Sequence, residues 1–278
     1  MRATSNPAFR NLPRGTGNYV GFDPQAGTPG YGNYGQPAYG GPAGPTGPGG
    51  YGVAYQQSGA VERPMTIDDV VSKTAMTLGL AIVTGVITVF THAYWLAAPA
   101  AIVGLVLAMI IIFKRTPNAA LVLSYAGVEG IVLGAITELF DNIYHGIAFQ
   151  AIAGTFGVFI AMLIVYKTGA IRVTPRLTKW VIGATVGVVV VLLANFLVGM
   201  FGVDLGVRDG SPLSIAISVI IIGIAAFNLL LDFDQADRMI RMGLPARWAW
   251  YAAFGLTVTL VWLYLEILRL LSYLQRGN

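Results

Sequence analysis

The chain has 278 residues, of which 55% are hydrophobic and only 11% are charged, whereas soluble domains usually contain about 25% charged residues. Forty consecutive residues between Lys73 and Lys114 contain no Asp, Glu, Lys or Arg, and about 20 apolar residues suffice to cross a bilayer. The lack of cysteine excludes disulfides and thiolate chemistry, and two histidines are too few for a multi-histidine metal centre. The composition therefore predicts an all-α, polytopic membrane protein.

Residues 1–62 are predicted to be a disordered tail. The first sixty residues hold fifteen of the thirty-five glycines, eight of the fourteen prolines and six of the thirteen tyrosines. Few aliphatic side chains are available there to offset an ordering cost of about 1–2 kcal/mol per residue. No apolar run follows the early arginines, so we expect no cleavable signal peptide. We interpret the tail as a flexible cytoplasmic segment or, alternatively, as a tyrosine-rich segment that recruits partners.

Residues 63–278 are predicted to form a seven-helix transmembrane domain. Thr66 is predicted to be the N-cap of the first helix, because Asp69 follows at the position of a capping carboxylate. Short connections such as residues 116–118 indicate antiparallel neighbouring helices. The seven spans are expected at about residues 70–91, 95–113, 119–140, 147–166, 180–201, 212–231 and 248–273.

The positive charges predict the orientation of these spans. With the tail in the cytoplasm, eleven Lys and Arg residues flank the inner side, and three, Arg208, Arg269 and Arg276, lie on the outer side. The protein is then expected in a bacterial cell (inner) membrane, and seven spans place the N-terminus on its cytoplasmic side and the C-terminus on its outer side. The same distribution explains the net charge of +4 without a nucleic-acid partner.

Carboxylates within the spans are the candidate functional residues, because each costs roughly 2.5–3.5 kcal/mol to insert. Glu129 lies near the middle of span three, Asp232 at the inner end of span six, and Glu266 in span seven. Glu129 is either a protonated packing residue or a carboxylate that faces a pore. Two carboxylates in close contact would share a proton, and acidic sites rich in oxygen also suit Ca²⁺.

The remaining acidic residues lie near helix ends. Glu138 and Asp141 are expected to form a solvated end of span three. Asp234 and Asp237 follow Asp232 and precede two arginines, so this cluster is either a salt-bridged helix end or part of a proton-sensitive ion site. Asp234 is therefore kept with Asp232, Glu266 and Glu129 as a candidate residue for ion binding.

No arrangement of residues indicates an enzyme. The last lysine, Lys179, lies in a loop and not in the last span, which excludes a retinal protein. The tetrapeptide GxSG of a rhomboid protease is absent, and the ligands of a catalytic zinc are lacking. We expect no cofactor and no resident metal, with Ca²⁺ considered only as a permeating ion.

Four segments carry a resemblance to a known family. They are the N-terminal MRATSNPAFRNLP, MTIDDVVSKTA at the start of span one, EGIVLG in span three, and the closing LTVTLVWLYLEILRLLSYL. Together they resemble the Bax inhibitor/YccA-like family, and in particular its actinobacterial branch with a glycine-rich tail. The resemblance implies six helices around a central seventh. It also implies a pH-sensitive Ca²⁺ leak channel whose gate is a pair of aspartates, one in span six and one in span seven.

The two aspartate positions of the family differ in how well this sequence matches them. Asp232 matches the span-six position, whereas the nearest match in span seven is the glutamate of Leu263–Glu266, LYLE, in place of LYLD. Alignment on the terminal Arg269-Leu270-Leu271 instead places Thr259 there. If span six continues to Met242, Glu266 lies about 15 Å from the depth of Asp232 at 1.5 Å per residue. Either residues 246–256 then form an interfacial helix or the pair is absent, and Glu129 is an alternative partner for Glu266.

Two functions remain open from the sequence. The first is the passage of Ca²⁺ or protons across the membrane under the control of buried carboxylates. The second is a non-conducting scaffold or regulator that binds membrane proteases or other partners through the tail.

Overall fold

The computed structural model describes residues 62–202, 206 and 208–276, so the predicted disorder of the tail falls on residues outside the described part. The described residues contain seven long helices, each long and apolar enough to cross a membrane. The protein is therefore a multi-pass membrane protein, as predicted. The helices are α1 Ile67–Thr91, α2 Ala97–Lys114, α3 Ala119–Ile143, α4 Ile147–Thr168, α5 Pro175–Gly199, α6 Pro212–Arg241 and α7 Ala249–Arg276.

Polar side chains start several helices where the sequence places them. The predicted capping box of α1 is confirmed, because the Asp69 amide donates to Thr66 Oγ1 and the Thr66 amide donates to Asp69 Oδ2. The Asn118 side chain accepts from two amides of the first turn of α3. Thr174 and Ser211 cap α5 and α6, and each is followed by a proline that suits the first helical position.

The odd-numbered helices begin at one end of the bundle, which we call the proximal end, and finish at the distal end. At the proximal end, the residues before α1 hydrogen-bond to the loop between α6 and α7. At the distal end, His92 after α1 contacts Glu138 near the end of α3. Gln275 near the end of α7 donates to Gln150 near the start of α4.

α7 occupies the centre of the bundle. Within an apolar stretch of 18 residues in α7, 56% are buried, whereas the corresponding stretches of the other six spans have between 6% and 33% buried, although α7 has the lowest hydropathy of the seven. It packs against α1, α3, α4 and α6, and its fully buried Leu263 and Leu268 belong to the main hydrophobic core. A central seventh helix is what the resemblance implied.

Glycines bring α1 and α3 into close backbone contact. The position of a Cβ atom on Gly85 would lie 3.1 Å from the carbonyl oxygen of Gly130 and 3.6 Å from the amide nitrogen of Gly134. A Cβ atom on Gly130 would overlap the Ala81 carbonyl and the Thr84 hydroxyl, and one on Gly134 would overlap the Gly85 backbone. Small residues are how helices in lipid approach so closely.

Several boundaries differ from those predicted: α5 begins at Pro175 rather than near residue 180, and the end of α6 differs most. α6 was expected to end near residue 231 but continues to Arg241, because the helix extends past its apolar part. The loop that follows contains a single 3₁₀ turn at Ala246–Trp248, and α7 begins at Ala249. The alternative of an interfacial helix over residues 246–256 is therefore wrong.

Candidate functional site

Asp232 lies in a cavity of about 230 Å³ towards the proximal end of the bundle. The cavity is bordered by α6 and α7 and by Ile112 at the end of α2. Gln235 on α6 and Thr259 on α7 supply further polar groups to its wall. Because α6 continues nine residues past Asp232, this carboxylate lies roughly 14 Å from the end of its helix.

The α7 partner of Asp232 is Thr259. The Thr259 hydroxyl donates a hydrogen bond of 2.6 Å to Asp232 Oδ2. Gly255, one turn earlier on α7, leaves room beside the same carboxylate, because a Cβ atom there would lie 3.8 Å from Asp232 Oδ1. Of the alternatives left open by the sequence, the structure supports the alignment that places Thr259 opposite the span-six aspartate.

Glu266 is not the partner of Asp232, and the prediction that pairs them is wrong. Only 2% of Glu266 is exposed, and its two oxygens contact Arg269 Nη1 at 2.6 Å and Ser218 Oγ at 3.1 Å. Seven helical residues separate Glu266 from Thr259, which corresponds to roughly 10 Å along α7. The carboxylate therefore has a satisfied site of its own nearer the distal end.

Glu129 is half-buried and faces α2. A Cβ atom on Gly104 of α2 would lie 3.3 Å from Glu129 Oε2. Within the described residues, the Glu129 side chain has no hydrogen-bond or ion-pair partner, and it shares no hydrogen bond with Glu266. The alternative pairing of Glu129 with Glu266 is therefore not present, since Glu266 is held by Arg269 and Ser218.

Asp234 and Asp237 form a salt-bridged helix end. Asp234 pairs with Arg238 at 2.6 Å, and Asp237 pairs with Arg241 at 2.7 Å, each one turn further along α6. The Tyr166 hydroxyl of α4 also donates to Asp237. The sequence left open whether this cluster is a salt-bridged helix end or part of an ion site. Asp234 and Asp237 form a salt-bridged helix end, whereas Asp232 faces α7.

The residues before α1 are joined to the loop between α6 and α7, and we call this contact the proximal clamp. The Met65 amide donates to the Leu244 carbonyl at 2.8 Å, and the Ala246 amide donates to the Arg63 carbonyl at 2.9 Å. Lys73 Nζ donates to the Ala246 carbonyl at 2.5 Å and lies 5.6 Å from the centre of a Trp250 ring. The clamp holds the start of α7, and with it the wall that contains Thr259.

Glu138 is buried, which overturns the prediction that it belongs to a solvated helix end. Only 6% of Glu138 is exposed, and its Oε1 atom lies 2.5 Å from Nδ1 of His92. Its Oε2 atom is buried and has no hydrogen-bond partner in the described part of the chain. Asp141, in contrast, is part-exposed and accepts hydrogen bonds from the Gly146 and Ala148 amides.

Sequence reasoning missed several polar contacts of this bundle. The Thr77 and Thr257 hydroxyls share a buried hydrogen bond of 2.9 Å between α1 and α7. Asn228 of α6 donates to Thr185 of α5. The only available signal was a polar residue within an apolar span, and such a signal does not reveal the partner on another helix.

The family model described as "Bax inhibitor 1 like" matches residues 6–276, which is nearly the whole chain. The chain belongs to the Bax inhibitor 1 like family. No curated protein matches it. In this Bax inhibitor 1 like protein, Asp232 is hydrogen-bonded to the hydroxyl of Thr259 and not to the second aspartate that the resemblance implied.

Proposed function

We propose that this Bax inhibitor 1 like protein passes cations, either protons or Ca²⁺, under the control of Asp232. The observation that supports the proposal best is the carboxylate of Asp232 in a cavity between α6 and α7, hydrogen-bonded to Thr259. An intramembrane carboxylate is costly, and it lies where the resemblance expects the gate.

A single carboxylate beside a hydroxyl can respond to protons without a second acid. A threonine hydroxyl donates to an ionised carboxylate and can rotate to accept from a protonated one. Thr259 therefore satisfies Asp232 in both protonation states, and the change between them alters the charge of the cavity wall. The predicted sharing of one proton by two carboxylates is not needed.

If the ion is Ca²⁺, this site is better suited to an ion that passes through than to one that stays bound. Resident Ca²⁺ takes 6–8 oxygen ligands, usually including several carboxylates. Among the described residues, no group of three or more His, Asp or Glu side chains could hold a metal ion. Asp232, Thr259 and Gln235 would offer a permeating cation a weak and transient contact.

Flux of Ca²⁺ and of protons in proteoliposomes between pH 6 and 8 tests the proposal. Asp232→Asn keeps the shape of the side chain and should flatten the pH dependence of flux. Asp234→Asn is the matched control, since Asp234 lies two residues further on α6 and pairs with Arg238. Glu266→Gln should also leave the pH dependence intact. Wild-type pH dependence in the Asp232→Asn protein would reject the proposal.

A scaffold that binds membrane proteases or other partners through residues 1–62 is the second candidate function. It is favoured by the proximal clamp, which joins the residues after the tail to the loop before α7. This candidate predicts that deletion of residues 1–60 abolishes function although the buried carboxylates remain intact. Loss of flux in Asp232→Asn with normal partner capture would favour the first candidate.

We also propose a cytoplasmic proximal end in a bacterial inner membrane, with the C-terminus outside. The eleven-to-three distribution of Lys and Arg supports this orientation. A reporter that is active only in the cytoplasm should be inactive when fused after Asn278. Activity of that fusion would overturn the orientation.

A further inference from the structure

At the distal end, the loop before α6 and the last turns of α7 bring together five charged residues. They are Arg208, Asp209, Glu266, Arg269 and Arg276. The Tyr273 hydroxyl of α7 donates to the Arg208 carbonyl at 3.2 Å, and Arg276 Nη1 donates to the Asp209 carbonyl at 3.4 Å. We call this group the distal arginine cluster. On α7 its members are spaced three or seven residues apart, so they share one face of the helix.

The carboxylates of the cluster already have partners other than Arg208. Glu266 contacts Arg269 and Ser218, as described above. Asp209 Oδ1 accepts from the Ser211 amide at 2.9 Å and from the Ser214 hydroxyl at 2.6 Å. These hydrogen bonds, with that of Ser214 first, lower the pKa of Asp209 to about 2. Both carboxylates thus already have hydrogen-bond partners within the protein.

Arg208 is a half-buried cation for which the described residues provide no hydrogen bond or ion pair to its guanidinium group. Burial and then the positive charge of Arg269 lower the pKa of Arg208, and the negative charge of Glu266 only partly opposes this. Uncompensated charge of this kind is costly away from water. With three arginines and two acids, the cluster carries one excess positive charge.

The surroundings of the cluster indicate the ligand. Phe201 before the loop is 85% exposed, and Leu213 at the start of α6 is 62% exposed. Exposed apolar side chains at the end of a transmembrane bundle lie where lipid acyl chains and head groups meet. A guanidinium group binds phosphate through two parallel hydrogen bonds, which makes arginine the preferred partner of this anion. Basic pockets between transmembrane helices are used in this way for lipid head groups on the cytoplasmic side of membranes, and the same chemistry is available on the outer side.

We propose that the distal arginine cluster binds the phosphate group of a membrane lipid, with Arg208 as its principal contact. The bound phosphate would balance the excess positive charge, and the acyl chains would cover Phe201 and Leu213. This site is separate from Asp232, and its occupancy does not depend on the proposed cation flux.

Native mass spectrometry of the full chain in uncharged detergent tests this site with three probes. They are phosphatidylglycerol, a diacylglycerol with the same acyl chains, and inorganic phosphate. We expect phosphatidylglycerol to bind and the diacylglycerol, which has no phosphate, not to bind. Arg208→Gln should weaken the binding of phosphatidylglycerol about tenfold or more, since a charge-assisted hydrogen bond is lost. Arg172→Gln is the matched control, because Arg172 is exposed in the loop at the proximal end and should leave binding unchanged.

The other outcomes separate the possible anions. Equal affinity of wild type and Arg208→Gln for phosphatidylglycerol would overturn the site. Binding of inorganic phosphate that phosphatidylglycerol does not displace would overturn the assignment to a lipid. If Arg208→Gln does not remain monodisperse, Arg208→Lys is used in its place. The lysine keeps the positive charge but lacks the planar guanidinium group that forms two parallel hydrogen bonds. Unchanged affinity in Arg208→Lys then counts against the proposal.

Discussion

The close packing of α1 against α3 predicts opposite effects for two glycine-to-alanine changes on α3. Gly130 and Gly127 lie one turn apart on the same helix, and both face α1. A methyl group on Gly130 would overlap the Ala81 carbonyl and the Thr84 hydroxyl. A methyl group on Gly127 would meet only the side chains of Leu80 and Thr84, each at 3.9 Å, which is ordinary van der Waals contact.

The structure also indicates the size of these effects. The Ala81 carbonyl belongs to the α1 backbone and cannot rotate away, so Gly130→Ala must push the two helices apart. Overpacking of this kind costs about 1–3 kcal/mol. Gly127→Ala should instead stabilise the protein by roughly 0.5–1 kcal/mol, because glycine is a poor residue inside a helix. The two variants should therefore differ by about 1.5–4 kcal/mol.

Thermal unfolding of both variants in the same detergent measures this difference. At about 2–4 °C per kcal/mol for a chain of this size, Gly130→Ala should unfold at least a few degrees below Gly127→Ala. Gly157→Ala on α4 is a second control, because nothing lies within 4 Å of a Cβ atom there. Equal stability of Gly130→Ala and Gly127→Ala would refute the inferred backbone contact between α1 and α3.

Three further predictions concern single polar groups. Thr66→Ala should destabilise the protein by about 1 kcal/mol in thermal unfolding, since it removes the N-cap acceptor of the Asp69 amide. Thr66→Ser keeps a hydroxyl acceptor and should retain most of the wild-type stability. Arg269→Leu should cost about 3–5 kcal/mol in denaturant unfolding because Glu266 is left buried without its cation, and a simultaneous Glu266→Leu should recover most of it. The folded-state pKa of Asp209 is lowered to about 2, so its stabilisation should be complete above about pH 4 and fall between pH 4 and 2; a stability difference between wild type and Asp209→Asn that keeps falling from pH 8 to pH 5 would contradict this.

The sequence was sufficient to predict the seven spans because a bilayer imposes a strong requirement on apolar length. The end of α6 was missed for the same reason. Apolar length reports the part of a helix that lies in lipid, whereas α6 extends past it with the ion pairs of Asp234 and Asp237. The depth argument raised an objection to pairing Asp232 with Glu266 but did not decide it, because it left an interfacial helix over residues 246–256 open.

The partners of the buried acids could not be predicted. Glu138 has the sequence position of a solvated helix end, but His92 follows α1 in a left-handed conformation and meets its carboxylate. Ser218 and Arg269 similarly determine the environment of Glu266 from two helices. Such contacts depend on how helices rotate against one another, and the rotation is set by packing across the whole bundle.

The central position of α7 has a consequence for biosynthesis. The helix that the others surround is also the last of the seven to be synthesised, so the six earlier spans enter the bilayer before their central helix exists. The proximal clamp has the same property, because Lys73 and Ala246 are 173 residues apart in the chain. Contacts of such large sequence separation form slowly. The proximal end of the bundle thus closes late, whereas α1 and α3 can pack through their glycines before α7 is made.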